Sequence, residues 1–234
     1  MSTVFDELID AASRPYLAAG RATYHFVRGK LRHDPFFLEL LRTRRIAEGA
    51  RVLDLGCGHA IVASLLLAAR ARFEAGQWPE SWPIPPADPQ LYGLDSARGP
   101  ANCARMSLGE RATIEISDVR EAQFPSADLI LIIDVLHYMN AGEQDRVLDK
   151  AVAALRPGGS LVLRIANPSA GWKFLAGRAA DHFGYVIRGL PPPRHHHRQV
   201  DEWRSSLGAR GLDARVEPLL GKASFANVLL QADA

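Results

Sequence analysis

The decapeptide Arg51–Ala60, RVLDLGCGHA, restricts the fold of this chain more than any other stretch. Val52, Leu53 and Leu55 form a short apolar run with β-branched content, which predicts a buried strand. Gly56-Cys57-Gly58 then breaks the strand and lets backbone approach a ligand where any Cβ would intrude. Ala60–Arg72, AIVASLLLAARAR, has the length and residue types of a helix. Strand, glycine turn and helix N-terminus together form a receptacle for a small molecule with an anionic group. A dinucleotide fingerprint needs G-x-G-x-x-G, and Ile61 stands where its third glycine belongs.

The chain has 234 residues, of which 47% are hydrophobic and 23% charged, the balance of one globular domain with a large core. No apolar run approaches the roughly 20 residues that cross a bilayer. MSTVFDELIDAA carries two acids and no basic stretch, so it does not read as a signal peptide. Cys57 and Cys103 are too few for a disulfide framework or a zinc site, and a cytoplasmic location is expected.

What the decapeptide does match is Asp-x-Gly-x-Gly-x-Ala, with Asp54 two residues before the first glycine. It resembles the first motif of the class I S-adenosylmethionine-dependent methyltransferases, with Ala60 in place of the family's last glycine. The resemblance implies a Rossmann-like α/β fold: a seven-stranded, mostly parallel sheet with an antiparallel C-terminal strand, helices on both faces and an N-terminal helical cap. It places Asp54 near the methionine ammonium of S-adenosylmethionine and the Gly56, Cys57 and Gly58 backbone beside the cofactor. The alternative is a βα turn that uses glycine only to turn.

Further positions follow in order. Leu91–Leu94 predicts strand two, and Asp95 at its tip, followed by Ser96, is placed to accept hydrogen bonds from two ribose hydroxyls. Asp95 could equally cap the next helix, Arg98–Leu108. After strand three, Ala112–Ser117, the family's adenine-binding Asp corresponds to Asp118, followed by Val119; the other reading is a turn aspartate. Ala127–Val135, ADLILIIDV, is apolar throughout, as a central parallel strand buried on both faces should be. Ligands bind outside the carboxyl ends of such strands, which puts Asp134, His137 and Tyr138 at the rim of the site. His137 is the first candidate for a general base, with Tyr138 and His25 behind it, although a histidine among apolar residues is often a satisfied core group. A helix over Gly142–Leu155 stops at Arg156-Pro157-Gly158-Gly159, and strand five follows over Ser160–Ile165.

The remaining segments lie outside the shared core, which covers 46–166 and 199–234. Residues 1–45 form the cap: a helix over 3–12 with Val4, Leu8 and Ala11 on one side, a second opened by Pro15, and a third opened by Asp34-Pro35. Phe73–Gln90 holds five prolines and two tryptophans, which forbid a regular helix or central strand. There Trp78, Trp82 and Ile84 are expected to dock on the body of the protein, or else to form an interface. In 167–198, Pro168–Phe183 can be helical, followed by a loop. Consecutive residues His195, His196 and His197 cannot all converge on one ion from an extended loop, so no metal is expected. Helix Val200–Arg210, strand Leu212–Leu219 and strand Phe225–Gln231 complete the sheet.

Charge is unevenly spread. Between Arg14 and Arg45 eight bases meet only Asp34 and Glu39. Lys30 and Arg32, with Arg188, Arg194 and Arg198 of the second insertion, suggest an anionic acceptor, free or carried on an acyl carrier protein, or else a solvated face. GKLRHDP, the Trp-Pro insertion, DVLHYM and FANVLLQ look similar to methyltransferases that accompany bacterial aryl-polyene or fatty-acid-like pathways. These readings give an enzyme that methylates a small molecule, with a phenolic, aryl or carrier-bound acceptor and no nucleic-acid partner. The rivals are an NAD-dependent oxidoreductase, a non-catalytic subunit with a relic cofactor fold, and methylation of a macromolecule.

Overall fold

The computed structural model describes residues 3–43, 46–171, 195–218 and 227–233. Seven strands form one sheet: β1 (Arg51–Leu55), β2 (Gln90–Asp95), β3 (Thr113–Ile116), β4 (Ala127–Ile133), β5 (Leu155–Ala166), β6 (Asp213–Pro218) and β7 (Asn227–Asp233). Their order is β3-β2-β1-β4-β5-β7-β6, and β7 runs antiparallel to both neighbours while the rest are parallel. The fold expected from the glycine motif is the fold observed. β1 and β4 are central neighbours, with Val52 opposite Leu129 and Leu55 opposite Ile132.

Alternate residues of the strands divide the core in two. Val52, Leu91, Leu129, Leu131 and Val162 face one layer; Leu53, Leu55, Leu94, Ile130 and Leu161 face the other. The first layer holds α4 (Ile61–Glu74) and α5 (Arg98–Leu108), the second α6 (Ala141–Ala154) and α7 (Val200–Gly208). α6 begins with a capping box between Asn140 and Glu143.

The N-terminal helices thicken the first layer. α1 (Thr3–Ser13) lies on α4, and the 3₁₀ turn Arg14–Ala19 lies on α5. This explains why α4 is apolar on nearly every side: a helix covered by both sheet and helices has little solvent face. Phe5, Leu8, Ile9 and Ala12 form the buried face of α1, whereas the sequence suggested Val4, Leu8 and Ala11. Pro15 opens only the 3₁₀ turn; Gly20, at φ 105°, breaks the chain before α2 (Arg21–His33). Pro35 opens α3 (Pro35–Thr43), which buries Phe36, Phe37, Leu40 and Leu41.

In the proline-rich segment Trp78 and Trp82 meet edge to face at 5.3 Å and pack against the first core layer. The Trp78 indole N–H donates to the Pro83 carbonyl at 3.0 Å. Ile84 does not dock: it is 63% exposed. The positions Arg188, Arg194, Leu219 and Phe225, and the stretch from 172 to 183 expected to be helical, lie outside the described residues.

Candidate active site

The glycine loop is seated on the end of β2. The Gly56 and Cys57 amides donate to the Leu94 carbonyl at 2.7 and 3.0 Å, and the Gly58 amide donates to Asp95 Oδ2 at 2.7 Å. Asp95 Oδ1 accepts from the Ala97 amide at 2.7 Å. One carboxylate therefore joins the loop to the start of α5, with exposed Ser96 between its two contacts.

The two glycines have different reasons to be glycine. A Cβ on Gly56 would lie 2.2 Å from Val135 Cγ2, so that residue lets the ends of β1 and β4 pack together. Gly58, at φ 54°, would meet only Asp95 Oδ2, 4.0 Å away, and its outer side is open. Ala60 also sits in the left-handed region, at φ 52° and ψ 46°. The change from glycine at this position is thus not neutral, since a Cβ resists that conformation.

Beneath the loop lies Asp54. Burial, with the like charge of Asp95 adding to it, pushes its carboxyl up to about 7. Among the described residues neither Asp54 nor Asp95 forms an ion pair. The Cys57 thiol is raised by the same burial and the same two acids, which leaves it inert.

At the end of β4 the electrostatics are closed. Asp134, at φ 60°, receives the Arg164 guanidinium through both oxygens, with Arg164 Nε to Oδ1 at 2.8 Å. Arg164 also donates to both oxygens of Asp34, at 2.6 and 2.8 Å, and lies against the Phe36 ring. Lys30 Nζ completes the group, 2.9 Å from Asp34 Oδ2. Burial alone would raise the Asp34 carboxyl, but Arg164 and Lys30 outweigh it and hold it below its ordinary value. The carboxylate expected to face the cofactor at Asp134 is therefore occupied by Arg164.

Past Asp134, His137 and Tyr138 lie in a 3₁₀ turn with their rings 4.2 Å apart. His195 and His197 face His137 at 4.9 and 5.8 Å, and the His196 amide donates to the His137 carbonyl at 2.8 Å. Burial lowers His137 to about 4 against the opposing pull of Asp134, so its imidazole is neutral at pH 7. Tyr138 is 46% exposed. Buried Gln144 ties the two segments together, donating to the carbonyls of Leu136, Met139 and His196. Among the described residues no set of three His, Cys, Asp or Glu side chains is disposed to hold a metal.

Several expected residues sit differently. His25 is exposed on α2, its ring 5.0 Å from Tyr24, and His137 makes no ring contact with it. Asp118 is held by Arg120, through the backbone amide at 2.9 Å and the guanidinium at 2.6 Å. Val119 turns into the second core layer, and its carbonyl accepts from Lys150 at 2.8 Å. Two further cap bases are paired within the chain: Arg28 with Asp10 and Arg32 with Asp6, at 2.7 and 3.0 Å. Arg198 grips Asp145 and covers the Trp203 ring. Lys30, Arg32 and Arg198 thus serve contacts inside the protein; the acids that match Arg28 and Arg32 lie in α1, outside the basic segment, and Lys30 uses Asp34 within it.

Arg164 and Tyr16 were not foreseen. A single arginine inside the apolar strand LVLRIA is a signal, since a buried guanidinium requires carboxylate partners. A groove of about 460 Å³ lies at the opposite ends of β1, β2 and β3, lined by Arg51, Gln90, Arg111 and Ser126 among others. Parallel sheets place ligands at the carboxyl ends of their strands, where the glycine loop, Asp95 and His137 converge.

A family model described as a methyltransferase domain matches residues 25–215. The chain belongs to the methyltransferase-domain family. Its relatives include a carboxy-S-adenosyl-L-methionine synthase of Chromohalobacter salexigens, 32% identical over 131 residues, which are 54% of this chain and 43% of that protein. A ubiquinone biosynthesis O-methyltransferase of a Chelativorans species is 28% identical over 174 residues, 73% of this chain and 62% of that one. The methyltransferase domain described here thus spans less than two thirds of either relative. Among solved structures, an O-methyltransferase from neocarzinostatin biosynthesis, in complex with S-adenosylmethionine and 2-hydroxy-5-methyl naphthoic acid, superposes with a TM-score of 0.60. It is 17% identical, the match covering 93% of this chain and 58% of that one, and it shares the fold.

Proposed function

We propose that this methyltransferase domain transfers the methyl group of S-adenosylmethionine to a small aromatic acceptor. The observation that carries the reading is the pair of carboxylates around the glycine loop, Asp54 and Asp95, with no cationic partner among the described residues. A half-buried acid whose desolvation raises it to about 7 calls for a cation, and the amino-acid end of S-adenosylmethionine brings one. A dinucleotide would instead bring its pyrophosphate to the glycine loop, over Asp54. The open outer side of Gly58 supplies the room.

When bound, the cofactor supplies an electrophilic methyl group. Asp54 would hold the ammonium, Asp95 the ribose hydroxyls on lone pairs left over from the Gly58 and Ala97 amides, and Asp118 the adenine amino group on those Arg120 leaves. The protein's work is then alignment, and orientation of this kind can supply about 7–11 kcal/mol. Neutral His137 is able to take the proton of an acceptor hydroxyl, with Tyr138 beside it.

Support for an aromatic acceptor comes from the rings of His137, Tyr138, His195 and His197 at the β4 end. A ubiquinone biosynthesis O-methyltransferase among the relatives and the naphthoic acid of the structural neighbour agree with it. The likeness to aryl-polyene pathway enzymes belongs to the same proposal. The argument for a carrier-bound acceptor is weakened, because Lys30, Arg32 and Arg198, the described bases invoked for it, are paired within the chain. Calorimetry with S-adenosylhomocysteine and NADH tests the cofactor: the first should bind and the second should not, and the opposite pattern would sink the reading. Methyl-labelled S-adenosylmethionine and a panel of phenols, followed by mass spectrometry, then identify the acceptor class.

A further inference from the structure

The N-terminal helices touch the glycine loop and the first turn of α4 from outside at three points. Tyr16, fully buried, directs its hydroxyl at the His59 carbonyl, 2.6 Å away, and at the Ala60 carbonyl, 3.3 Å away. Ser64, in the first turn of α4, donates to the Ala12 carbonyl at 2.6 Å. Phe26 of α2 lies against the His59 ring at 4.8 Å. The residue at the centre of these contacts is Ala60, whose left-handed backbone is uncommon outside glycine.

We propose that Tyr16 is a positioning residue for the glycine loop, its hydroxyl holding Ala60 in the left-handed conformation from which the loop meets the cofactor. Ala60 turns the chain from the loop into α4, and its amide donates back to the Cys57 carbonyl at 2.8 Å. Were Ala60 to relax to a negative φ, the carbonyls of His59 and Ala60 would rotate away from Tyr16. The loop amides at Gly56, Cys57 and Gly58, now set on Leu94 and Asp95, would lose their register. A glycine at position 60 would adopt the conformation unaided. The alanine transfers that task to the cap, so that a residue more than 40 positions upstream helps to shape the loop. The link to cofactor binding rests on the function proposed above; the link to loop geometry does not.

Tyr16→Phe removes one oxygen and keeps the ring that fills the core. In that variant, S-adenosylhomocysteine affinity should fall by about two- to tenfold, the range of one net hydrogen bond. Amide hydrogen exchange over residues 56–60, measured without cofactor, should quicken by a similar factor. Tyr16→Phe/Ala60→Gly should regain both the affinity and the protection of the unaltered chain. A purely structural tyrosine would give a general loss of stability that Ala60→Gly does not repair. Unchanged affinity and exchange in Tyr16→Phe, or no recovery in the double variant, overturns the proposal. If Tyr16→Phe alone does not fold, the double variant decides: folding with unaltered loop protection supports the idea, and failure overturns it. Should the unaltered protein bind no S-adenosylhomocysteine, the cofactor reading fails while the exchange measurement still decides the role of Tyr16.

Discussion

β1 and β4 lie side by side, and each loop beyond them carries a left-handed residue that is not glycine, Ala60 after β1 and Asp134 after β4. In both places the N-terminal cap is in attendance, through Tyr16 at the first and Asp34 at the second. The electrostatics are opposite. At the β4 end two acids, Asp34 and Asp134, meet two bases, Arg164 and Lys30, and the account is closed within the chain. At the β1 end Asp54 and Asp95 are left without a base among the described residues. On the function proposed above, the fold balances one pair of acids and leaves Asp54 for a cation from outside and Asp95 for the ribose hydroxyls. On the same proposal the β4 end would act by shape, and through the neutral ring of His137, rather than by charge.

The strongest way to break this contrast is to open the closed end. Arg164→Leu would strand Asp34, whose side chain is only 10% exposed, and Asp134 beside it. Removing one partner of a buried ion group costs about 3–5 kcal/mol, and urea unfolding should show a loss of that size. A loss below about 1 kcal/mol, the range of surface pairs, would mean that the β4 end is not a buried, balanced group.

The open end should respond in the other direction. Asp54 has a folded-state value of about 7, above the roughly 4 of an unfolded aspartate. Below pH 4 both states hold the proton and no difference arises. As pH rises from 4 towards 7 the unfolded chain releases its proton first, so the folded state loses stability, and above 7 the whole penalty stands. Asp54→Asn should therefore stabilise the cofactor-free protein at pH 8 by roughly 2–4 kcal/mol, at 1.36 kcal/mol per pKa unit, and by much less at pH 5. The same change should weaken S-adenosylhomocysteine binding. Thermal unfolding at the two pH values, with calorimetry at pH 8, gives both numbers; a variant destabilised at pH 8 would show that Asp54 already has a partner.

Asp95 sharpens the contrast from the ligand side. Its carboxylate organises the loop as well as facing the cleft, so Asp95→Ala should lower S-adenosylhomocysteine affinity by about 1.5–3 kcal/mol, the range for hydrogen bonds to a charged group. Asp95→Asn should lose less, because its amide oxygen can still accept from the Gly58 amide. If both variants bind as the unaltered protein does, Asp95 only joins the loop to α5.

How far these ends were legible in the sequence depends on the range of the interactions. The central place of ADLILIIDV and the position of Asp95 follow from local patterns, since strand periodicity and glycine turns are written in consecutive residues, whereas the sheet architecture rests on the family resemblance. Arg164 is 30 positions from Asp134 and 130 from Asp34, so the group that occupies Asp134 could not be read from any one neighbourhood. The partners of the basic cap stay hidden for the same reason: Asp6 and Asp10, which pair with Arg32 and Arg28, stand in the preceding helix and fall outside the segment whose charge was counted. Buried Gln144 shows a third case. Its place on the inward face with Val147, Leu148 and Ala151 could be read, while the three carbonyls it serves could not.

The smallest expected effect belongs to Lys30, and it tests whether the β4 end is self-sufficient. Lys30 is the exposed member of the group, with 41% of its side chain accessible, whereas Arg164 retains 4%. Solvent screens the ammonium from Asp34, and such pairs contribute about 0–1 kcal/mol. Asp34 keeps both hydrogen bonds from Arg164 when Lys30 is lost, so its charge remains compensated. Lys30→Gln should thus change stability by less than about 1 kcal/mol and leave the acceptor's KM unaltered at low and moderate salt. The alternative is that Lys30 leaves Asp34 to meet an anionic acceptor at the mouth of the site. In that event KM would rise several-fold in Lys30→Gln, the rise would shrink with added salt, and stability would stay the same. Steady-state kinetics at two ionic strengths separates the outcomes, and a salt-sensitive KM would return the cap bases to the acceptor and remove the neutrality claimed here for the β4 end.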